Sequence, residues 1–150
     1  VSNKLRTIAD ALANGLSASA SVASSATVER KNWATIDAAD MDRAVVLITP
    51  GGIDTQRIGR NAWQSDYTVY VFVGRQCNTD ADVNGTIDLA DEVMTLIKKH
   101  SWSEAVTWPE NVFGANSVTI EVNPDDALND RNVWRGVISA VYRVASVETA

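Results

Sequence analysis

One stretch constrains the fold more than any other. Asp66-Tyr67-Thr68-Val69-Tyr70-Val71-Phe72-Val73-Gly74 is almost wholly β-branched or aromatic, the residue types that fit a pleated surface. Side chains alternate faces along a strand, so Tyr67, Val69, Val71 and Val73 share one side and Thr68, Tyr70 and Phe72 the other. Both sets are largely apolar, which predicts a central strand covered on both faces. A polar loop from Arg75 to Asn84 follows, then a helix over about Gly85 to His100. Ile87, Ala90, Met94 and Ile97 recur there at helical spacing, and Leu89, Val93 and Leu96 widen the stripe. Lys98, Lys99 and His100 stand at the helix end, where positive charge suits the dipole. The expected core is this strand and helix: Val69, Val71, Phe72, Ile87, Val93, Met94 and Ile97 buried together.

The flanking chain supplies the partners. Ser2 to Leu16 reads as a helix with Leu5, Ile8, Leu12 and Leu16 on one face, Ser2 or Asn3 as cap and Asn14-Gly15 as a stop. Residues 17–26, nearly all Ser and Ala, predict a flexible or edge segment. Thr27 to Trp33 reads as a strand, Asp37 to Asp42 as a polar turn, and Ala44 to Thr49 as a buried strand stopped by Pro50-Gly51-Gly52. Ile53 to Gln64 is polar and lacks a breaker before the central strand, so it extends a hairpin away from the core. Ser101 to Gly114, with Trp102, Trp108 and Phe113, reads as a loop with aromatic anchors. Ser117 to Val122 is a strand, and 125–130 an acidic connection. Val133 to Val147 is the last strand, with Trp134, Ile138, Ala140, Tyr142 and Val144 inward and Arg135 and Arg143 outward. Short connections among 27–33, 44–49 and 66–74 predict antiparallel pairing. The class is α+β: a mostly antiparallel sheet packed against two helices, in the order α-β-β-β-α-β-β.

Composition narrows function by exclusion. A chain of 150 residues suits one domain, 1–150. No apolar run is long enough for a bilayer, and no signal-peptide pattern opens the sequence. A formal charge of -6 argues against a nucleic-acid-binding face. Cys77 is the single cysteine, so no intrachain disulfide forms, which fits a reducing compartment. Five tryptophans supply large packing or interface area.

Few motifs carry chemistry. The run from Asp80 to Asp91 places Asp80, Asp82, Asn84, Asp88 and Asp91 at ligand positions of a calcium loop of the EF-hand or dockerin kind, with Gly85 at the sharp turn. Its last ligand is Asp instead of Glu, a strand precedes it, and no second loop accompanies it. The competing reading is a solvated acidic loop leading into a helix N-terminus. His100 is the only histidine, and its place at a helix end gives it a structural role. Cys77 reads as a partly buried thiol, and Asp37, Asp40 and Asp42 as a solvated turn. Gly51, Gly52 and Gly59 lack the spacing and the lysine of a phosphate loop. Nucleophile, base and cofactor loop are not placed together, so no enzyme and no cofactor is expected. Arg57, Arg60 and Trp63, on the polar extension, are of the types that dominate contact hot spots. Asp125, Asp126 and Asp130 form the matching acidic patch, and opposite charge across a contact fixes its register.

The order and spacing resemble a family. Val28-Glu29-Arg30, the acidic turn at 37–42, the run Val45-Val46-Leu47-Ile48-Thr49-Pro50, an arginine at Arg57 or Arg60, Asp66 to Val71, the helix segment Leu89-Ala90-Asp91-Glu92-Val93 and a final strand together resemble the tail-terminator and tail-completion (neck) proteins of long-tailed bacteriophages. The resemblance spans the chain from Val28 onward. The segments Trp102 to Phe113 and 17–26 depart from it. It implies a structural virion protein, a homo-oligomeric ring that is commonly a hexamer, at the head-proximal end of a tail. Such a ring ends tube growth, touches the tail tube protein and a head-completion or connector protein, and passes DNA through its lumen without specific binding. It implies assembly in the host cytoplasm, no membrane and no catalytic residue. The alternatives are a head-completion or tail-tube-like subunit of the same particle, and a calcium-binding module using 80–91.

Overall fold

The computed structural model describes residues 4–32, 43–100, 106–109, 111–122 and 132–147, the side chains of 146 and 147 excepted. The elements in chain order are α1 (Lys4–Ala18), α2 (Ala20–Ser25), β1 (Ala26–Arg30), β2 (Ala44–Arg57), β3 (Ala62–Gln76), α3 (Asp80–Lys99), β4 (Ser117–Val122) and β5 (Val133–Val147). The five strands form one sheet in the order β1-β2-β3-β5-β4. Pairing is antiparallel except between β1 and β2. The fold is α+β, with helices on a mostly antiparallel sheet.

The core follows the alternation of the strands. Val46 and Ile48 on β2, Val69, Val71 and Val73 on β3, and Ile138, Ala140, Tyr142 and Val144 on β5 are buried with Ile8, Leu12 and Leu16 of α1 and Leu89, Val93 and Ile97 of α3. Each such aliphatic side chain contributes about 1.5–3 kcal/mol on burial. The inward set expected for β5 is the one observed. On β3, Val69 and Val71 are buried as expected, but Phe72 is only half-buried and Tyr70 is exposed. Among the described residues the helices cover one face of the sheet, and Phe72 stands on the other. It lies opposite Leu47 and Val137. Leu47 beside it is buried, so the second face is covered there and opens toward Tyr70.

Four local expectations are corrected as well. Residues 17–26 are not a loose or edge segment: α1 runs to Ala18 and α2 occupies Ala20–Ser25, which makes three described helices instead of two. Alanine favours the helix, and Val22, fully buried, anchors it. Arg43 donates to the carbonyls of Ala23 (2.9 Å) and Ser24 (3.2 Å) at its C-terminal end, a cation on otherwise unsatisfied carbonyls. Gly15 does not stop α1, because Leu12 and Leu16 continue its buried face on either side. β1 pairs with β2 in parallel, from Ala26↔Ala44 to Arg30↔Ile48. The dozen or so residues between them suffice for a crossover. Of these, 33–42 lie outside the described residues, as do Trp33 and the turn aspartates.

Pro50-Gly51-Gly52 does not end the second strand. The ladder shifts register between Pro50 and Gly52, a bulge, and continues to Arg57↔Trp63. A bulge is where a strand tolerates proline. Gly51 is required there: a Cβ would stand 2.7 Å from Tyr70 Cε2 and 2.8 Å from the Thr68 carbonyl.

Candidate docking arm and edge groove

Past the bulge, β2 and β3 run out as an arm. Residues 51–61 are all exposed, as the unbroken polar sequence predicted. Seven residues of β2 lie beyond Pro50, about 23 Å of strand, and the core accompanies them on β5 as far as Val144, level with Ser65 and Thr55. β5 accompanies β3 to the end, with Ala62 opposite Val147, so the arm has three strands. Arg143 donates to both oxygens of Asp66, at 2.9 and 3.3 Å. That pair offsets the like-charge juxtaposition of Asp54 opposite Asp66. The bond from Arg143 holds the Asp66 carboxyl below its ordinary range.

The tip is residues 58–61, closed by the Ile58 N–H donating to the Ala62 carbonyl at 3.0 Å. Arg57 and Trp63 form its last rung, with the guanidinium carbon 4.9 Å from the centroid of the Trp63 ring. That contact fixes the arginine by a cation–π attraction while leaving it exposed. Arg60 is exposed and Trp63 half-buried. Two arginines and no carboxylate occupy 57–61, and Ile58 is 53% exposed between them. The structure thus brings Arg57, Arg60 and Trp63 together at one end of the molecule. Asp125, Asp126 and Asp130, expected to form the partner patch, lie outside the described residues.

A second surface feature is an apolar groove of about 240 Å³ between α3 and the edge strand β4. Ile87, Ala90, Met94, Ile120 and Val122 line it over Trp134. Gly136 gives the Trp134 ring its place, because a Cβ there would sit 3.0 Å from the indole and 3.1 Å from Ile120 Cδ1. Ile87 was expected in the core. It is 44% exposed, because the buried face of α3 turns about Leu89, Val93 and Ile97 and leaves Ile87 on the flank beside Asp91. No local motif announces this groove, which is assembled from α3, β4 and β5.

The residues proposed for calcium are helical. Asp80 to Asp91 forms the first three turns of α3, not a loop. Thr79 is the N-cap: its Oγ1 accepts from the Asp82 N–H at 3.2 Å, and Asp82 accepts from the Asn78 N–H at 3.1 Å. The pair is a variant of the capping box, with the Asp82 carboxylate reaching the N–H one residue before the cap, and its Thr-x-x-Asp spacing is legible in the sequence. The Asn78 bond lowers the Asp82 pKa, and Arg75, 3.5 Å away, acts in the same direction. Asp80, Asn84, Asp88 and Asp91 are spread along one helix face over about 16 Å, whereas calcium ligands must converge within about 2.6 Å of the ion. The loop reading is set aside. Among the described residues no group of three His, Cys, Asp or Glu side chains is placed to hold a metal.

His100 is not a helix-end cation. It ends α3 in the left-handed region at φ 51°, with its N–H donating to the Leu96 carbonyl at 3.3 Å. Its ring packs 4.2 Å from Trp108 and 6.3 Å from Tyr142, centroid to centroid. Desolvation lowers its pKa, opposed by a hydrogen bond with the Val112 backbone, so the neutral form is favoured. Lys98 and Lys99 remain to serve the dipole. Trp108 is the anchor expected of the aromatic loop, but Phe113 is 85% exposed, and Trp102 lies outside the described residues. Cys77 is buried, its thiol 3.8 Å from Thr86 Oγ1. Among the described residues no helix is long and apolar enough to cross a membrane.

No protein-family model matches the chain, and no curated protein matches it.

Proposed function

We propose that the chain is a structural virion subunit that forms a ring at the head-proximal end of a phage tail, ends tube growth and joins tail to head. The observation that carries this reading is the three-stranded arm with Arg57, Ile58, Arg60 and Trp63 at its end. The core follows the sheet as far as Tyr142 and Val144, opposite Tyr67 and Ser65, and the arm continues past them to an exposed end at 56–61. Such an arm is what a subunit needs to reach a neighbour, and its tip has the composition of an interface centre. The resemblance at Val28 to Arg30, Val45 to Pro50 and Asp66 to Val71 gives the class of assembly. The element order supports it: helix, three strands, helix, two strands, with α2 as an addition. The acidic balance of -6 suits a lumen that passes DNA without gripping its phosphates.

The test is assembly. Native mass spectrometry of the purified chain should show a closed ring alone or on tail tubes. Tails grown without it should overrun their length, and adding it should stop them. A protein that binds filled capsids and leaves tube length unchanged would be a head-completion subunit instead.

A further inference from the structure

Resting on the ring reading, we propose that the tip of the arm in one copy docks into the α3–β4 groove of the next. Ile58 enters the apolar trough beside Ile87 and Val122, and Arg57 and Arg60 meet Asp91 and Asp88.

Three observations select a second copy as occupant. The first is charge. The tip carries two arginines and no carboxylate, while Asp91 of α3 lines the groove, and Asp88, exposed, stands on the same helix three residues before it. Asp82 and Glu92 are engaged within the chain, by Arg75 and Ser21, and Asp80 stands two turns away at the start of α3, so Asp91 and Asp88 are the carboxylates beside Ile87. Lys98 and Lys99 lie at the other end of α3, so the acidic part of the groove is the part near Ile87.

The second is size and polarity. The groove exposes Ile87 and Val122, 44% and 49%. Its roughly 240 Å³ is the volume of about eight waters at about 30 Å³ each, ample for one branched four-carbon side chain. Ile58 is such a side chain, presented at a turn.

The third is position. Trp134 floors the groove at one end of β5, and the tip rung at Trp63 lies opposite Ser146 near its other end. Twelve residues of strand separate them by roughly 40 Å. A chain therefore cannot fill its own groove with its own tip. A contact between two different patches at opposite ends of a subunit is heterologous and propagates from copy to copy, closing into a ring where the rotation permits.

The experiment uses two variants of the full chain, both altered at exposed positions and checked for native circular dichroism. Arg57→Glu with Arg60→Glu reverses the tip, and Asp88→Arg with Asp91→Arg reverses the groove. Each alone should weaken assembly at least about tenfold, because like charges then face each other across the contact. Mixing the two should restore rings of alternating copies. Ile58→Cys with Val122→Cys should cross-link between chains under oxidation and not within one chain. Rings that ignore both variants overturn the groove assignment and leave the ring reading standing. Failure of the mixture to recover overturns the pairing of tip with groove. A wild-type chain that stays monomeric, alone and on tail tubes, overturns both.

Discussion

Replacing Tyr142 by Phe is expected to stabilise the protein. Tyr142 is fully buried on β5, its ring 5.6 Å from Trp108 and 6.3 Å from His100, and its hydroxyl has no hydrogen-bond partner among the described residues. A buried hydroxyl without a partner costs about 1–3 kcal/mol relative to water. The phenyl ring keeps the aromatic contacts and loses only the dispersion of one oxygen, about 0.1–0.2 kcal/mol for each neighbouring atom. The balance is a gain of about 0.5–2 kcal/mol. With a urea dependence of about 2 kcal/mol per molar, the midpoint should rise by roughly 0.3–1 M at unchanged slope. Alkali gives a second reading. Burial raises the phenol pKa far above its ordinary value. A group raised on folding contributes stability that is full below its unfolded pKa and is lost as pH climbs through its folded one. The wild type should therefore weaken above about pH 10 more steeply than the Phe variant. In the wild type the 295 nm absorbance of Tyr142 should appear only with unfolding. A loss of more than about 1 kcal/mol in the variant would show that the hydroxyl is bonded, and the reasoning would fail.

Other outcomes follow from the same geometry. His100 has a lowered pKa, so its contribution is full above the ordinary imidazole range and lost as pH falls through that range to the folded value. Melting temperature should fall between about pH 7.5 and 5.5 and be flatter in His100→Asn, a residue that tolerates the left-handed backbone. Gly51→Ala should cost about 1–3 kcal/mol by pressing on Tyr70 and the Thr68 carbonyl. Gly52→Ala, with nothing within 4 Å, should be neutral or gain a few tenths of a kcal/mol; equal losses at both in denaturant titrations would refute the bulge argument. Ile97→Ala should cost about 2–5 kcal/mol, whereas Ile87→Ala should cost under about 1 kcal/mol, an order that a core position for Ile87 would reverse.

Whatever depends on period alone was legible in the sequence. The inward residues of β5, the Leu89-Val93-Ile97 stripe and the bounds of β4 all follow from alternation or helical spacing. The exposure of 53–61 was legible from its polar sequence, whereas the turn at 58–61, with Gly59 and Asn61, was not read. Features fixed by distant partners were not. α2 depends on Arg43 and on burial of Val22, and no local pattern in a Ser/Ala run supplies either. The parallel sense of β1 is a property of the crossover, not of the strand. Ile87 lies on the flank of an amphipathic stripe, and whether a flank is covered depends on where the edge strand passes. The Thr79–Asp82 capping box was readable, but the spacing of five oxygen-bearing side chains resembled a metal loop more strongly. Of the candidate site, the tip could be named from composition. The groove could not, since α3, β4 and β5 meet only in the fold.

The third strand of the arm changes what the arm is mechanically. An isolated two-stranded ribbon is marginal in water, and a chain using one as a tether would have to order it at each encounter. β5 runs unbroken from beneath α3 to the rung beside Trp63, so bending the tip means shearing a ladder rooted in the core. The arm is a cantilever and not a leash. It meets its neighbour already shaped, little conformational entropy is lost on contact, and load applied at its end passes straight into the sheet.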